Sequence, residues 1–518
     1  MNFILRSFLL CALFVVPVLA QTGLDDSLSS RLNAIRTKYS LAGISVSVIR
    51  HGKILANGSA GLADIARSIP ITDSSAYRVA SISKTVAATA LMQLYEAGKF
   101  TLDQDISPAL GFTLRNPYYP DVPITYRMIL SHTAGIVDGS GYDGFLAATS
   151  SSSIPPISSV LVAGGTHYTA DTWLNKRPGS YFTYTNLGFG VVGTLVESLS
   201  QERFDRYCVK HIFEPLGLDA GFSVHDLRNL NNLAVLYRAS GNQWNPQLDN
   251  YQGIPPAQRD LSAYVIGSNG SLFGPQGNLR ISAKDLAVFM IARSNGGTVN
   301  GKRILNDSTA ALMNTPMWSY NGSNGNNYYG LFRRWGLGTH LTTNAAMGDI
   351  VVAGKTMAGH PGEAYGLISD AYVDLGNSFG IIFITNGKKG AYAFGSTSAF
   401  YDVEEDVFAA AYGLIVSAPT AVPASEGNIP TGTVIRPNHP NPFNPTTNIQ
   451  FTVDRTDRAV LTVYTMLGQQ IATLFDGTAE AGKIYSTRWT GAGLASGPYI
   501  AQLEHSGSVV RNRMLLIK

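Results

Sequence analysis

Cysteine is nearly absent: the 518 residues hold two, Cys11 and Cys208. Cys11 falls in an apolar leader, so processing would leave only Cys208 and no internal disulfide; the fold must stand on its core. Cys208, in FDRYCVKHIFEPLGL, reads as a small buried hydrophobe rather than a nucleophile. Charge is also scarce, at 14% of residues with a net charge of +3, and no Lys/Arg cluster or basic stripe exists. That excludes a nucleic-acid-binding surface. No His stands at metal-ligand spacing from another His or Cys, so no metal is expected. Long hydrophobic runs are missing beyond residues 1–20, MNFILRSFLLCALFVVPVLA. This leader has one cation (Arg6), a short apolar stretch broken by Pro17, and Val18-x-Ala20 before Gln21. It reads as a cleaved signal peptide and not a membrane anchor, so no transmembrane helix is expected in the mature chain. Cys11 is followed by more apolar residues, which fits lipid attachment poorly.

What is present is a chain too long for one ordinary core and 45% hydrophobic, which predicts a globular protein of two or more domains. Residues 21–415 mix strand and helix signals. AGISVSVIRHGKILANGSAGLAD alternates around His51-Gly52-Lys53 and predicts a hairpin. The Ala-rich run after Ser81 predicts a helix ending at Gly98; helical spacing recurs over 186–199 and 203–213, and FGIIFITNG predicts a core strand. Strands at both ends with helices between predict an α+β domain whose sheet is closed by both termini. Residues 416–433, VSAPTAVPASEGNIPTGT, read as a linker. Residues 434–518 hold short alternating segments separated by Leu467-Gly468, Asp476-Gly477 and Ser506-Gly507, which predicts a small β-sandwich.

Chemistry concentrates in three places. Ser81 and Lys84 stand one helical turn apart in RVASISKTVAATALMQL. Ser81 could be only an N-cap, but a lysine on a burial face is costly unless paired or neutral. A neutral lysine beside a serine can take its proton and make it a nucleophile. RPGSYFTYTNLGFG places Tyr184 and Asn186 at a helix entrance. A phenol can relay a proton; an amide can hold a substrate carbonyl or steady the lysine. MAGHPGEAYG sets His360-Pro361-Gly362 beside strand-like residues.

S-x-x-K, Y-x-N and H-x-G, in that order, resemble the serine penicillin-recognising hydrolases. With YRVASISKTVAATALMQLYEAGKFTLDQDI, ITYRMILSHTAGI, PGSYFTYTNLGFGVVGTLVE and IFEPLGLD, the chain resembles the class C β-lactamase and D-alanyl-D-alanine carboxypeptidase branch, which includes esterases and D-aminopeptidases. The resemblance covers most of residues 24–412. It implies an antiparallel sheet flanked by helices plus a helical subdomain, a small-molecule or peptide substrate, and serine chemistry that needs no organic cofactor. It implies Ser81 as the acylated nucleophile, Lys84 as its base, Tyr184 as proton relay and Asn186 as the group that positions the substrate amide. His360 takes the place of a lysine in the K-T-G version, and Gly362 keeps the strand edge open. The oxyanion hole would be the backbone N–H groups of Ser81 and Glu363. Pro361 departs from the pattern, since a small hydroxyl residue usually meets the substrate carboxylate there. Ester or other amide hydrolysis is less affected by that change than carboxypeptidase or β-lactamase activity. The rival readings are those two activities proper, and a binder or sensor that acylates without turnover.

Other signals are weaker. Ser378 in GNSFG matches a nucleophile elbow, but a strand follows where a helix is needed. AGKT at 353–356 lacks the glycine spacing of a phosphate loop. His132 reads as a packed structural histidine. The C-terminal HPNPFNPTTNIQFTV, LTVYTMLGQQIATL and RNRMLLIK resemble the sorting domain of type IX secretion substrates. That resemblance implies contact with secretion machinery, passage through the periplasm, and a secreted or surface location. An adhesion or carbohydrate-binding sandwich is the alternative.

Overall fold

The computed structural model describes residues 23–418 except 152, 377 and 378, and residues 433–517 except 437, 439 and 467. The leader 1–20, most of the linker 416–433, Ser378, Leu467 and Lys518 lie outside the described residues. The chain divides into two compact units between Ala418 and Pro419.

The first unit opens with helix α1 (residues 23–39). Strands β1 (Gly43–Arg50) and β2 (Lys53–Asp64) follow. His51 and Gly52 join them, both at positive φ (52° and 67°), and Arg50 pairs with Lys53. Two turn residues in the left-handed region match the right-handed twist of the flanking strands. Helix α2 (Ser83–Glu96) ends before Gly98, at φ 69°. Helices α3 (Asn186–Ser200) and α4 (Ala283–Ser294) precede strands β3 (Ala358–Ala364), β4 (Leu367–Asp374) and β5 (Phe379–Thr385). Helix α5 (Asp402–Ser417) closes the unit, running two residues past the expected start of the linker. In the predicted helix over 203–213, an α-turn (Phe204–Cys208) passes into a wider π-turn (Val209–Phe213).

The fold is α+β. Its antiparallel sheet runs β3-β4-β5-β1-β2 at its centre, with short strands at both edges. β1 pairs with β5 through Val46–Phe383, so the sheet is closed by the two ends of the unit. Both faces are covered. Ile44, Val46, Val48, Ile381 and Phe383 pack on Leu28 and Leu32 of α1 and Val403, Val407 and Leu414 of α5. On the other face, Ile382, Ile384, Ala371 and Val373 pack with Val86 and Leu91 of α2 and Leu286 and Phe289 of α4. Each fully buried aliphatic or aromatic side chain contributes about 1.5–3 kcal/mol, so this double-sided core anchors the strand beside the site.

The second unit is a small β-rich region: β6 (Thr446–Thr452), β7 (Asp457–Thr465), β8 (Gln470–Ala479), β9 (Tyr485–Thr490), β10 (Gly497–His505) and β11 (Ser508–Leu516). A three-stranded sheet containing β6 and β9 and a four-stranded sheet β8-β7-β10-β11 share the core residues Phe451, Leu461, Trp489 and Met514. Asp476-Gly477 is not a turn: Val460 pairs with Asp476 and Ala459 with Gly477 inside the β7–β8 ladder. Arg458 holds Asp476 at 2.9 Å, and the reversal comes later, at Gly482 with φ 72°. A cross-strand ion pair and the ladder outweigh the local turn preference of Asp-Gly.

Candidate active site

Ser81 lies in a 3₁₀ turn (Ala80–Ile82) that runs straight into α2. The N-cap of α2 is Ile82, and no side chain caps it, so Ser81 is not serving as a helix cap. Ala80 has φ 47°, a strained value for a non-glycine residue, and the surroundings hold it. Val79 N–H donates to Leu279 O (2.9 Å), Ser83 Oγ–H donates to Ala80 O (2.6 Å), Leu279 N–H donates to Ser83 Oγ (3.0 Å), and Ser369 Oγ–H donates to Val79 O (3.1 Å). The serine is thus presented on a braced turn at the positive end of a 14-residue helix.

Lys84 is fully buried. Its Nζ donates to Ser81 Oγ (3.1 Å), Asn186 Oδ1 (2.8 Å) and Gln276 O (2.8 Å). Those three acceptors match the three protons of an ammonium; a neutral amine would keep two and offer its lone pair to the serine proton. Burial pulls the Lys84 amine down to about 7, partly opposed by the negative charge of Asp138. Both forms are therefore accessible near neutral pH.

Tyr184 packs against Lys84, with Nζ 4.7 Å from the ring centroid, and stacks on Phe332 at 5.3 Å. Its hydroxyl is buried beside Ser81 without a fixed hydrogen bond among the described residues. Burial pushes its pKa far above the usual tyrosine range, so it remains a neutral phenol. His360, on β3, is buried with its ring 5.8 Å from that of Tyr184. Its Nδ1 lies 2.5 Å from Pro361 O. A carbonyl only accepts, so Nδ1 carries the proton and Nε2 a lone pair. Burial and the nearby Lys84 hold His360 well below the usual histidine range, and the ring is neutral.

Gly362 has a packing role the sequence did not announce. A Cβ there would lie 2.5 Å from Ser369 Oγ, 2.6 Å from Val79 O and 3.3 Å from Ser81 N. Its missing side chain lets β3 press against the nucleophile turn. The same packing sets the backbone of Ser81 next to the residue preceding Glu363. The Glu363 side chain is exposed, and its Oε2 accepts from Tyr401 Oη at 3.0 Å.

Two groups had little signal in the sequence. Gln276 acts through its backbone carbonyl, which no residue type announces. Asp138 follows His132 by six residues in a glycine-rich stretch and caps α3. It accepts from Thr185 Oγ1 (2.8 Å), Asn186 N (2.8 Å), Asn186 Nδ2 (2.8 Å) and Leu187 N (2.8 Å). Asn186 accordingly steadies the lysine with one end of its amide and meets Asp138 with the other. His132 is buried, and its Nδ1 accepts from Thr185 N–H (3.2 Å), a structural contact. Cys208 is buried and its thiol pushed well up by burial. The segment 353–356 is a turn entering β3, with no helix to hold a phosphate. Among the described residues no cluster of His, Cys, Asp or Glu could hold a metal ion, and no helix is long and apolar enough to cross a membrane.

A family model described as Beta-lactamase matches residues 28–399. The chain belongs to the beta-lactamase family. It is 24% identical to Penicillin-binding protein 4 of Amycolatopsis lactamdurans over 408 residues, 76% of this chain and 92% of that protein. Among solved structures it resembles the octameric penicillin-binding protein homologue from Pyrococcus abyssi, with a TM-score of 0.56, 17% identity, and coverage of 95% of this chain and 96% of that one. It also resembles the D-amino acid amidase from Ochrobactrum anthropi SV3, with a TM-score of 0.54, 20% identity, and coverage of 76% and 99%. Both structural likenesses speak to the fold.

Proposed function

We propose that this beta-lactamase-family protein is an exported serine hydrolase that cleaves an ester or uncharged amide through an acyl-enzyme on Ser81. The observation that carries the reading is the 3.1 Å contact of the buried Lys84 amine with Ser81 Oγ. Neutral Lys84 takes the hydroxyl proton as Oγ attacks the substrate carbonyl carbon. Tyr184, neutral and beside Ser81, gives its hydroxyl proton to the leaving group and takes back the one Lys84 received from the serine; water entering by the reverse route then releases the acid. The N–H groups of Ser81 and Glu363 are the oxyanion donors, each worth about 3 kcal/mol in such sites.

Substrate preference follows from the third motif. With His360 neutral and Pro361 lacking both hydroxyl and N–H, these two positions offer no cation and no hydroxyl to a free carboxylate. Uncharged esters and amides are favoured over D-alanyl peptides and penicillins. The relative named for penicillin binding supports a second reading, a carboxypeptidase, β-lactamase or non-turnover penicillin binder. Steady-state hydrolysis of an aryl acetate, D-phenylalanine amide, a D-alanyl-D-alanine peptide and a chromogenic cephalosporin separates them. Turnover of the first two is expected; turnover confined to the last two would overturn the reading.

The leader and the C-terminal β-rich region serve export in this reading, the latter as a sorting domain for type IX secretion. Removal of everything after residue 430 should leave hydrolysis intact in vitro while the protein no longer leaves the cell. Unchanged secretion would contradict the sorting role, and lost hydrolysis would give that region a working part.

A further inference from the structure

We propose that Asp138 is a positioning residue for the acylation site, fixing which end of the Asn186 amide faces Lys84. The inference rests on Ser81 and Lys84 as the acylating pair. An asparagine amide has nearly the same shape whichever way its oxygen and nitrogen point, and its surroundings decide between them. A carboxylate can only accept, so Asp138 holds Asn186 Nδ2 at 2.8 Å and turns Oδ1 toward Lys84 Nζ, also 2.8 Å away. The flipped amide would set two donors against each other at Lys84 and leave its carbonyl against a carboxylate.

Asp138 is itself well anchored. Two N–H groups of the first turn of α3 (Asn186, Leu187) and the Thr185 hydroxyl converge on it. These are donors a helix start leaves unsatisfied, at the end of the helix where negative charge is favoured. The loop that leaves the buried His132 segment is thereby tied to α3, and α3 to the lysine on α2.

The other titratable groups facing the lysine carry no negative charge. His132 and His360 are both held neutral by burial and by Lys84 itself, and Tyr184 is a neutral phenol. Ser81, Gln276 O and the Phe189 ring complete the surroundings. Asp138 is therefore the charge that keeps the buried amine from losing its proton too readily. Replacing it with an uncharged residue removes that charge and frees the amide to flip, and both changes destabilise the ammonium.

The direct test is an NMR titration of lysine labelled with ¹³C at Cε in the full-length protein, with the Lys84 signal identified by its loss in Lys84→Met. Asp138→Asn should lower the Lys84 midpoint by roughly half a pH unit or more, as expected for loss of a nearby charge. Asp138→Glu, which keeps an acceptor and a charge, should leave it near the wild-type value. The pH dependence of Ser81 acylation by p-nitrophenyl acetate should follow. In Asp138→Asn the acid limb moves to lower pH and the plateau rate falls by roughly 10–100-fold, an effect of misplacement. A midpoint unmoved in Asp138→Asn, or moved equally in Asp138→Glu, would overturn the proposal. A merely structural capping role would lower the rate and melting temperature without moving either titration. Absence of acylation in the wild type would strike the Ser81 reading alone, because the lysine titration is read without turnover.

Discussion

Two buried ionisable sites flank the strands β3 and β4, one on each face of the sheet, and they are built on opposite rules. On the α2 face, Lys84 is wired to three acceptors and poised near neutrality. On the α5 face, Asp370 of β4 and Glu404 in the first turn of α5 are both fully buried carboxyls. Burial pushes both up, Glu404 to about 7 and Asp370 well above the carboxylate range; Glu404 raises Asp370 further, while the hydrogen bond from Asp370 partly relieves Glu404. Glu404 accepts from Tyr401 N–H, closing the start of α5. A buried charge next to a nucleophile is thus matched by a carboxyl pair that pins a helix to the same strands. Burial alone does not mark chemistry; the partners do.

The largest expected effect comes from breaking the first site. Ser81→Ala should lower turnover at least about a thousandfold, as removal of a nucleophile does, while leaving the melting temperature and circular dichroism unchanged. Lys84→Met should lose activity on a similar scale yet melt higher than the wild type near pH 7. The folded lysine titrates near 7 and the unfolded one near 10.5, so between these values the unfolded chain binds more protons and wild-type stability rises with pH. The advantage of Lys84→Met should accordingly shrink toward pH 10, as melting curves at several pH values would show.

Next in size is the opposite site. For carboxyls raised on folding the native state binds more protons, so their contribution is greatest at low pH and is lost as pH rises through the folded values. Asp370→Asn should therefore raise the melting temperature by roughly 2–4 °C at pH 8 and change it little near pH 4, with hydrolysis retained. The two slopes have opposite signs, which sharpens the comparison between the faces.

Gly362→Ala tests the seam where β3 meets the nucleophile turn. The added methyl would press on Val79 O and Ser369 Oγ, costing about 1–3 kcal/mol and displacing Ser81. Activity should fall together with the melting temperature. The smallest effect is on specificity: Pro361→Thr should raise turnover of a D-alanyl dipeptide with ester turnover unchanged. No change in either would dismiss Pro361 as a determinant.

Much of this was legible in sequence, for local reasons. S-x-x-K needs only one helical turn to bring its residues together, and β1, β5, α2 and α3 announce themselves by periodicity, α2 also by Gly98 just past its end. What was not legible depends on distance or on backbone. Asp138 meets Asn186 across 48 positions, and Gln276 acts through a carbonyl that every residue has. Asp370 and Glu404 carried no signal, because only the packing of α5 on the sheet brings them together. Gly362 was legible as a strand-edge residue, while its packing against the Val79–Ser81 turn depends on tertiary structure. Asp476-Gly477 carried a turn signal that the β7–β8 ladder overrode.

The most direct single measurement is the intact mass of the purified protein, wild type and Ser81→Ala, after brief exposure to an activated acetyl ester and, separately, to a penicillin. The expected result is a transient acetyl adduct with rapid ester turnover in the wild type, neither of them in Ser81→Ala, and no stable penicilloyl adduct. A lasting penicilloyl adduct on the wild type alone would move the protein to the penicillin-recognising peptidases. Equal ester turnover in both proteins, or no adduct and no turnover with either reagent, would contradict Ser81 as the nucleophile of a working hydrolase.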